Sequence, residues 1–430
     1  MRALEDLAYA ARAIAAREIG SRELVDAALD RYLATEPAIH AFAWLDRERA
    51  RRIAGERDNE PPRGILHGVP VAVKDIYDTA GIPTEHGSRL FAGRVPDRSA
   101  DVVAALESAG AIVIGKTVTA ELAYYAPGPT RNPYDQTRTP GGSSQGSAAA
   151  VATGVVPAAV GSQTNGSVIR PAAFCGTVGY KPTGGRLSTR GVLEFSATLD
   201  QVGGFAGTVE SAGWLAAAMA GDAVSEWLDD PAEVPRFAAV RSSEWDAADE
   251  AMRTRFQADV DALAAAGGPV EWPDLPSGLD DAVRLIEIVM AHESARAIGP
   301  LATARPELVS AQAHAIFDRG RAISVAEYED ALHERRRLIA AFGEWSAPYD
   351  AILTPPALGE APDLATTGDP RFCSRWTFVG APAIAIPTGI GPAGLPLGLQ
   401  LVGARGGDRR LLAAARWAEA RLPRPLRPVL

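Results

Sequence analysis

Two short turns in this chain place hydroxyl side chains among glycines. The first is Gly141-Gly142-Ser143-Ser144-Gln145-Gly146, and the second is Gly161-Ser162-Gln163-Thr164-Asn165-Gly166-Ser167. Small apolar residues from Ala148 to Val160 separate them. Glycine lets backbone N–H groups point at a ligand, and an ordered set of such groups is what stabilises an oxyanion. A hydroxyl among them is a candidate nucleophile for acyl transfer, provided that a base lies near it.

The two turns resemble the signature of the amidase signature family: GGSSGGS, a small-residue run, then a GTDTGGSIR-like turn. The resemblance extends upstream through Gly68-Val69-Pro70-Val71-Ala72-Val73-Lys74-Asp75. Downstream it runs through Pro171 to Gly176 and Gly179 to Thr183, with a weaker match from Tyr349 to Gly403. The resemblance implies a large mixed β-sheet covered by helices on both faces. It also implies hydrolysis of a carboxylic amide by a Ser-cis-Ser-Lys triad, with no metal or organic cofactor. Ser167 takes the nucleophile's place, Ser143 the bridging serine's after a cis Gly142–Ser143 bond, and Lys74 the base's. Backbone N–H groups of Thr164, Asn165, Gly166 and Ser167 would hold the oxyanion. Arg170, Gly142 and Tyr125 are candidates to touch substrate, although an arginine three residues past the nucleophile is also read as structural.

A lysine base must be neutral, and a free lysine with a pKa near 10.4 is neutral only about one time in a thousand near pH 7.4. Burial lowers that pKa, and Lys74 ends an apolar run, Val69 to Val73, that can carry it into the core. Ser162 is a further hydroxyl expected close to the triad. Three positions depart from the family pattern: Gln145 in place of a glycine, Gln163 in place of an aspartate, and Asn165 in place of a glycine. Asn165 is expected to add a side chain beside the oxyanion site and to tolerate left-handed backbone.

The elements that must position these residues alternate between helix and strand, which points to an α/β class. Residues 3–18 read as a helix. Ser21 reads as the cap of a second helix, with Leu24, Val25, Ala28, Leu29, Tyr32 and Leu33 on one face and an end at Thr35-Glu36-Pro37. Further helices are expected over 46–54, 99–108, 145–153 and 248–265. Strands are expected over 41–45, 69–73, 111–114, 237–240, 269–272, 349–354, 383–387 and 397–402. Glu121 to Asp135 reads as a loop carrying Tyr124, Tyr125 and Tyr134. The chain reads as one domain over 1–430 with a mainly helical excursion at 277–346, where Ser324 caps the last helix.

The chain has 430 residues, of which 47% are hydrophobic and 22% charged. A net charge of −10 argues against a nucleic-acid face. The N-terminus lacks the apolar stretch of a secretion signal, and no run is long enough to span a bilayer. A cytoplasmic enzyme acting on a small-molecule amide is expected, and a homodimer is left open. Cys175 and Cys373 are expected as buried free thiols.

Other functions fit the residues less well. Gly110 to Thr117 fits the phosphate-loop expression GxxxxGK[ST], but its apolar centre reads as a strand. Neither serine turn is a GxSxG elbow, and the histidines form no motif, His67 being assigned to loop packing. A binding protein without catalysis is disfavoured because all three reacting groups are present. A partner-dependent amidotransferase subunit is the nearest alternative. The acidic charge and the changes at Gln163 and Asn165 favour a stand-alone amidase over it.

Overall fold

The computed structural model describes residues 1–124, 126–229 and 234–428. Eleven strands form one mixed sheet among the described residues. They are β1 (Phe42–Leu45), β2 (Pro70–Lys74), β3 (Ile112–Thr117), β4 (Ala158–Gln163), β5 (Val178–Lys181) and β6 (Gln201–Ala206). The later chain adds β7 (Phe237–Ala239), β8 (Val270–Glu271), β9 (Ala351–Thr354), β10 (Ala383–Ile390) and β11 (Pro396–Val402). The spatial order is β1-β3-β2-β4-β6-β5-β10-β11-β9-β7-β8. Every residue of β2, β3, β4, β5, β6 and β11 is buried. Strands without an exposed side are covered on both faces, so this is an α/β fold with helices on each side of the sheet.

Small residues let the centre of the fold close. Gly146 lies in the first turn of the helix Gln145–Ala152, and a Cβ at that position would lie 2.0 Å from the Ala41 carbonyl oxygen. Its N–H donates to Val118 O at 2.9 Å. The helix start therefore rests directly on backbone from the β1 and β3 side of the sheet, which any larger residue would prevent.

The structure corrects several expectations. The first predicted helix is a short 3-10 turn, Arg2–Leu4, followed by a helix over Leu7–Ala15 whose N-cap is Asp6. Ser21 is the first residue of its helix, and Gly20 is the N-cap. Asp58 instead accepts from the N–H groups of Ser21 and Arg22. Pro37 does not end that helix, which runs to Ile39 and stops at His40 in the left-handed region. β4 has no alternation to reveal it, because Ala-Ala-Val-Gly-Ser-Gln is buried on both sides. Between β8 and β9 lie the helices Ala282–Ala297, Gly299–Ala304, Ala311–Ala322 and Val325–Ser346. Ser324 Oγ caps the last, accepting from Glu327 N at 3.2 Å.

The phosphate-loop reading fails on structure. Ile112–Thr117 is strand β3, and Lys116 Nζ is buried on Tyr77 O at 2.7 Å and Thr84 Oγ1 at 2.6 Å. His67 packs in its loop, with Nε2 3.0 Å from Arg57 O and Nδ1 accepting from Arg63 N. Both cysteines are buried free thiols.

Candidate active site

β2 and β4 run parallel and adjacent, with Val73 opposite Val160. Their C-terminal ends therefore emerge side by side, Lys74 from one and the turn after Gln163 from the other. The first serine turn lies against them and leads into the helix Gln145–Ala152. The second leads into the short helix Ile169–Cys175. The peptide bond between Gly142 and Ser143 is cis.

Lys74 Nζ lies 2.8 Å from Ser143 Oγ and 2.8 Å from Ser162 Oγ. Ser143, Thr164, Asn165, Gly166, Ser167 and Arg170 line one cavity, together with Tyr124, Phe195 and Met290. The structure thus brings together Lys74, both turn serines and the glycine turn. Tyr125 lies outside the described residues. Its neighbour Tyr124 stacks on Phe195 with ring centroids 5.3 Å apart.

Lysine occurs only three times in the chain, at Lys74, Lys116 and Lys181, and all three are fully buried. Burial pulls Lys74 down to about 7, against the opposing charge of Asp200. It pulls Lys116 to about 8 and Lys181 to about 7. The shift alone does not single out Lys74; its partners do. Lys181 Nζ is surrounded by three acceptors, Pro182 O, Gln201 Oε1 and Ala381 O, and three acceptors call for the three hydrogens of an ammonium. Lys116 faces Tyr77 O, Thr84 Oγ1 and the Asp75 carboxylate. Lys74 faces two hydroxyls, and a hydroxyl can donate as well as accept. A neutral amine with a lone pair is satisfied there.

The three departures from the family pattern are absorbed by the fold. Gln145 Oε1 accepts from Gly128 N at 2.7 Å and ties down the loop that carries Tyr124. Gln163 Oε1 accepts from Val168 N at 2.8 Å and Ile169 N at 3.0 Å, while its Nε2 donates to Thr377 Oγ1. It caps the start of the helix that follows Ser167, satisfying two donors that no earlier turn of helix can take. Asn165 Oδ1 accepts from Ser374 Oγ at 2.6 Å, and its Nδ2 donates to Glu287 at 3.3 Å. Asn165 is not among the residues with positive φ, so the expected tolerance of left-handed backbone plays no part.

Arg170 is 1% exposed. It donates from Nε to Thr367 O at 2.7 Å and from one terminal nitrogen to Gly142 O at 2.8 Å. The other terminal nitrogen is buried without a hydrogen-bond partner. The Gly142 carbonyl is thus engaged by Arg170, and a Cβ on Gly142 would lie 2.6 Å from the Thr367 side chain.

Sequence reasoning missed Asp200, Phe195 and Met290. Asp200 accepts from Thr164 Oγ1 at 2.5 Å. No motif marks these residues, which arrive through the pairing of β6 with β4 and through the helical segment. Among the described residues, no group of three or more His, Cys, Asp or Glu is placed to hold a metal ion. No helix among them is long and apolar enough to cross a membrane.

The chain is 34% identical to a glutamyl-tRNA(Gln) amidotransferase subunit from Acidothermus cellulolyticus, over 95% of this chain and 92% of that protein. A crystal structure of an amidase superposes with a TM-score of 0.90 at 32% identity, covering 97% of this chain and all of that one. The corresponding glutamyl-tRNA(Gln) amidotransferase subunit from Thermotoga maritima superposes with a TM-score of 0.80 at 30% identity, covering 95% of this chain and 94% of that one. The family model described as Amidase matches residues 23–412, and this chain belongs to the amidase family.

Proposed function

We propose that this chain cleaves a carboxylic amide through an acyl-enzyme on Ser167. The observation that carries this reading is the 2.8 Å contact of Lys74 Nζ with Ser143 Oγ, beside a cavity walled by Ser143 and Ser167. Neutral Lys74 takes the Ser143 proton as Ser143 takes that of Ser167, and Ser167 Oγ attacks the amide carbon. The carbonyl electron pair moves onto oxygen, held by the N–H groups of Thr164, Asn165, Gly166 and Ser167. As the oxyanion collapses, the C–N bond breaks and the proton returns through Ser143 to the leaving nitrogen. Water, deprotonated along the same route, then splits the ester and frees Ser167.

The destination of the nitrogen separates two readings. A stand-alone amidase releases ammonia or an amine to water. A partner-dependent subunit passes ammonia on, and the curated relatives, which carry the name of an amidotransferase component, favour this second reading. The changes at Gln163 and Asn165 do not weigh against it, because both side chains are engaged within the fold.

The test is ammonia release by the purified chain from glutamine and a panel of small amides. The measurement is made alone and after addition of the proteins that co-purify with the chain from its own cells. Turnover by the chain alone on small amides supports the stand-alone reading. Ammonia release that depends on a co-purifying partner supports the partner-dependent one. A folded chain inactive in both settings, and unlabelled by a serine-directed acylating probe, overturns the acyl-enzyme.

A further inference from the structure

Asp200 has no role in the chemistry above, yet it is a half-buried carboxylate beside it. The sheet register brings it there. β6 pairs antiparallel with β4, with Gln201 opposite Gln163, so the adjoining residues Asp200 and Thr164 meet just past the strand ends. Thr164 Oγ1 donates to Asp200 Oδ1 at 2.5 Å. The N–H groups of Phe195 and Ser196 donate to Oδ2 at 2.8 and 3.0 Å. Asp200, Thr164 and Ser162 line a small cavity behind the site, and Ser162 is the second hydroxyl in contact with Lys74.

The charged and titratable groups around this carboxylate come from three elements. Lys74 ends β2. Tyr77 follows it and donates its hydroxyl to Gly161 O at 2.6 Å. Glu293, on the helix Ala282–Ala297, accepts from Ser196 Oγ and from Thr198 N. Lys74 supplies the cationic charge, and Asp200's charge in turn acts on Lys74.

We propose that Asp200 is a positioning residue that serves as counter-charge to the Lys74 ammonium and as anchor of the Thr164 end of the glycine turn. A base must hold its proton for part of each turnover, and burial without a counter-charge disfavours that state. Asp200 offsets burial, so that Lys74 exchanges its proton near neutral pH, where general-base catalysis is most effective. The same carboxylate, through Thr164, fixes one end of the backbone that faces the oxyanion. The inference rests on Lys74 as the base in the proposed function, but it can be read without turnover.

The experiment is NMR titration of the full chain labelled with nitrogen-15 at lysine, in which three side-chain signals arise from the three lysines. Lys74→Met assigns the Lys74 signal by its loss. Asp200→Asn should move the Lys74 midpoint down by about one unit, a roughly tenfold change in its ratio of neutral to charged form at a given pH. The acid limb of kcat/KM should move the same way. Should Asp200→Asn not fold, Thr164→Val is measured instead: losing the hydroxyl donor raises the Asp200 pKa and should lower the Lys74 midpoint. An unmoved Lys74 midpoint in the folded variant overturns the proposal, whatever happens to kcat. A moved midpoint supports it, and if Lys74→Met also keeps full turnover, the base assignment fails while the counter-charge stands.

Discussion

Lys74 Nζ sits 2.8 Å from Ser143 Oγ, the hydroxyl that follows the cis peptide bond. The contact joins the end of β2 to a turn 69 residues later in the chain. It places Ser143 between a buried amine and the cavity that Ser143 and Ser167 both line.

Ser167→Ala should abolish turnover and leave the protein folded. The side chain lies at the cavity wall, so losing one oxygen opens no void in the apolar core. The expected loss is on the order of a millionfold in kcat. A fluorophosphonate should label the wild type at Ser167 by mass spectrometry. Label on another serine, or an active variant, would falsify the assignment.

Lys74→Met should be inactive and should also shift the pH dependence of stability. Burial holds Lys74 at about 7, against an ordinary 10.5. The unfolded chain therefore binds an extra proton between these limits, and stability from this residue is full above pH 10.5 and declines as pH falls to about 7. The decline amounts to about 5 kcal/mol at about 1.4 kcal/mol per unit. Methionine has no such penalty, so the stability of the variant relative to wild type should rise between pH 10 and pH 7 in urea unfolding. A difference independent of pH would show that Lys74 is buried charged. In the wild type, kcat/KM should fall on the acid side of about pH 7.

Gln163→Leu tests the cap on the helix after Ser167. It leaves the N–H groups of Val168 and Ile169 without an acceptor, while the Thr377 hydroxyl keeps its bond to Asn165 O. Each buried unpaired group costs about 1–3 kcal/mol, so the urea midpoint should drop strongly and kcat with it. Gln163→Glu keeps the acceptor and should lose less. Equal stability of the two variants would remove the capping argument.

Arg170→Lys should lower kcat/KM by a similar factor on a neutral amide and on an acidic half-amide of the same size. Its bonds to Thr367 O and Gly142 O brace the segment that leads into Ser143, and lysine lacks the planar fork needed for both. A loss of tenfold or more confined to the acidic amide would instead assign the remaining, unpaired nitrogen to a substrate carboxylate.

Glycine spacing and hydroxyl content made both turns legible in the sequence, because local patterns of that length have few structural alternatives, while Lys74 was legible through the family resemblance at the end of an apolar run. The helix ending at Ser346 was legible from its serine cap. β4 was not, since a strand buried on both faces shows no alternation. Pro37 misled for the opposite reason: a local breaker signal was overridden by a helix that continues to Ile39. What only the tertiary structure decided is which partner each polar group meets. Three buried lysines look alike in sequence, and their neighbours alone set Lys74 among hydroxyls and the other two among acceptors. Asp200 reaches Thr164 because two strands pair in one register. A contact across 36 residues is fixed by sheet geometry, for which the residues on either side carry no local signal.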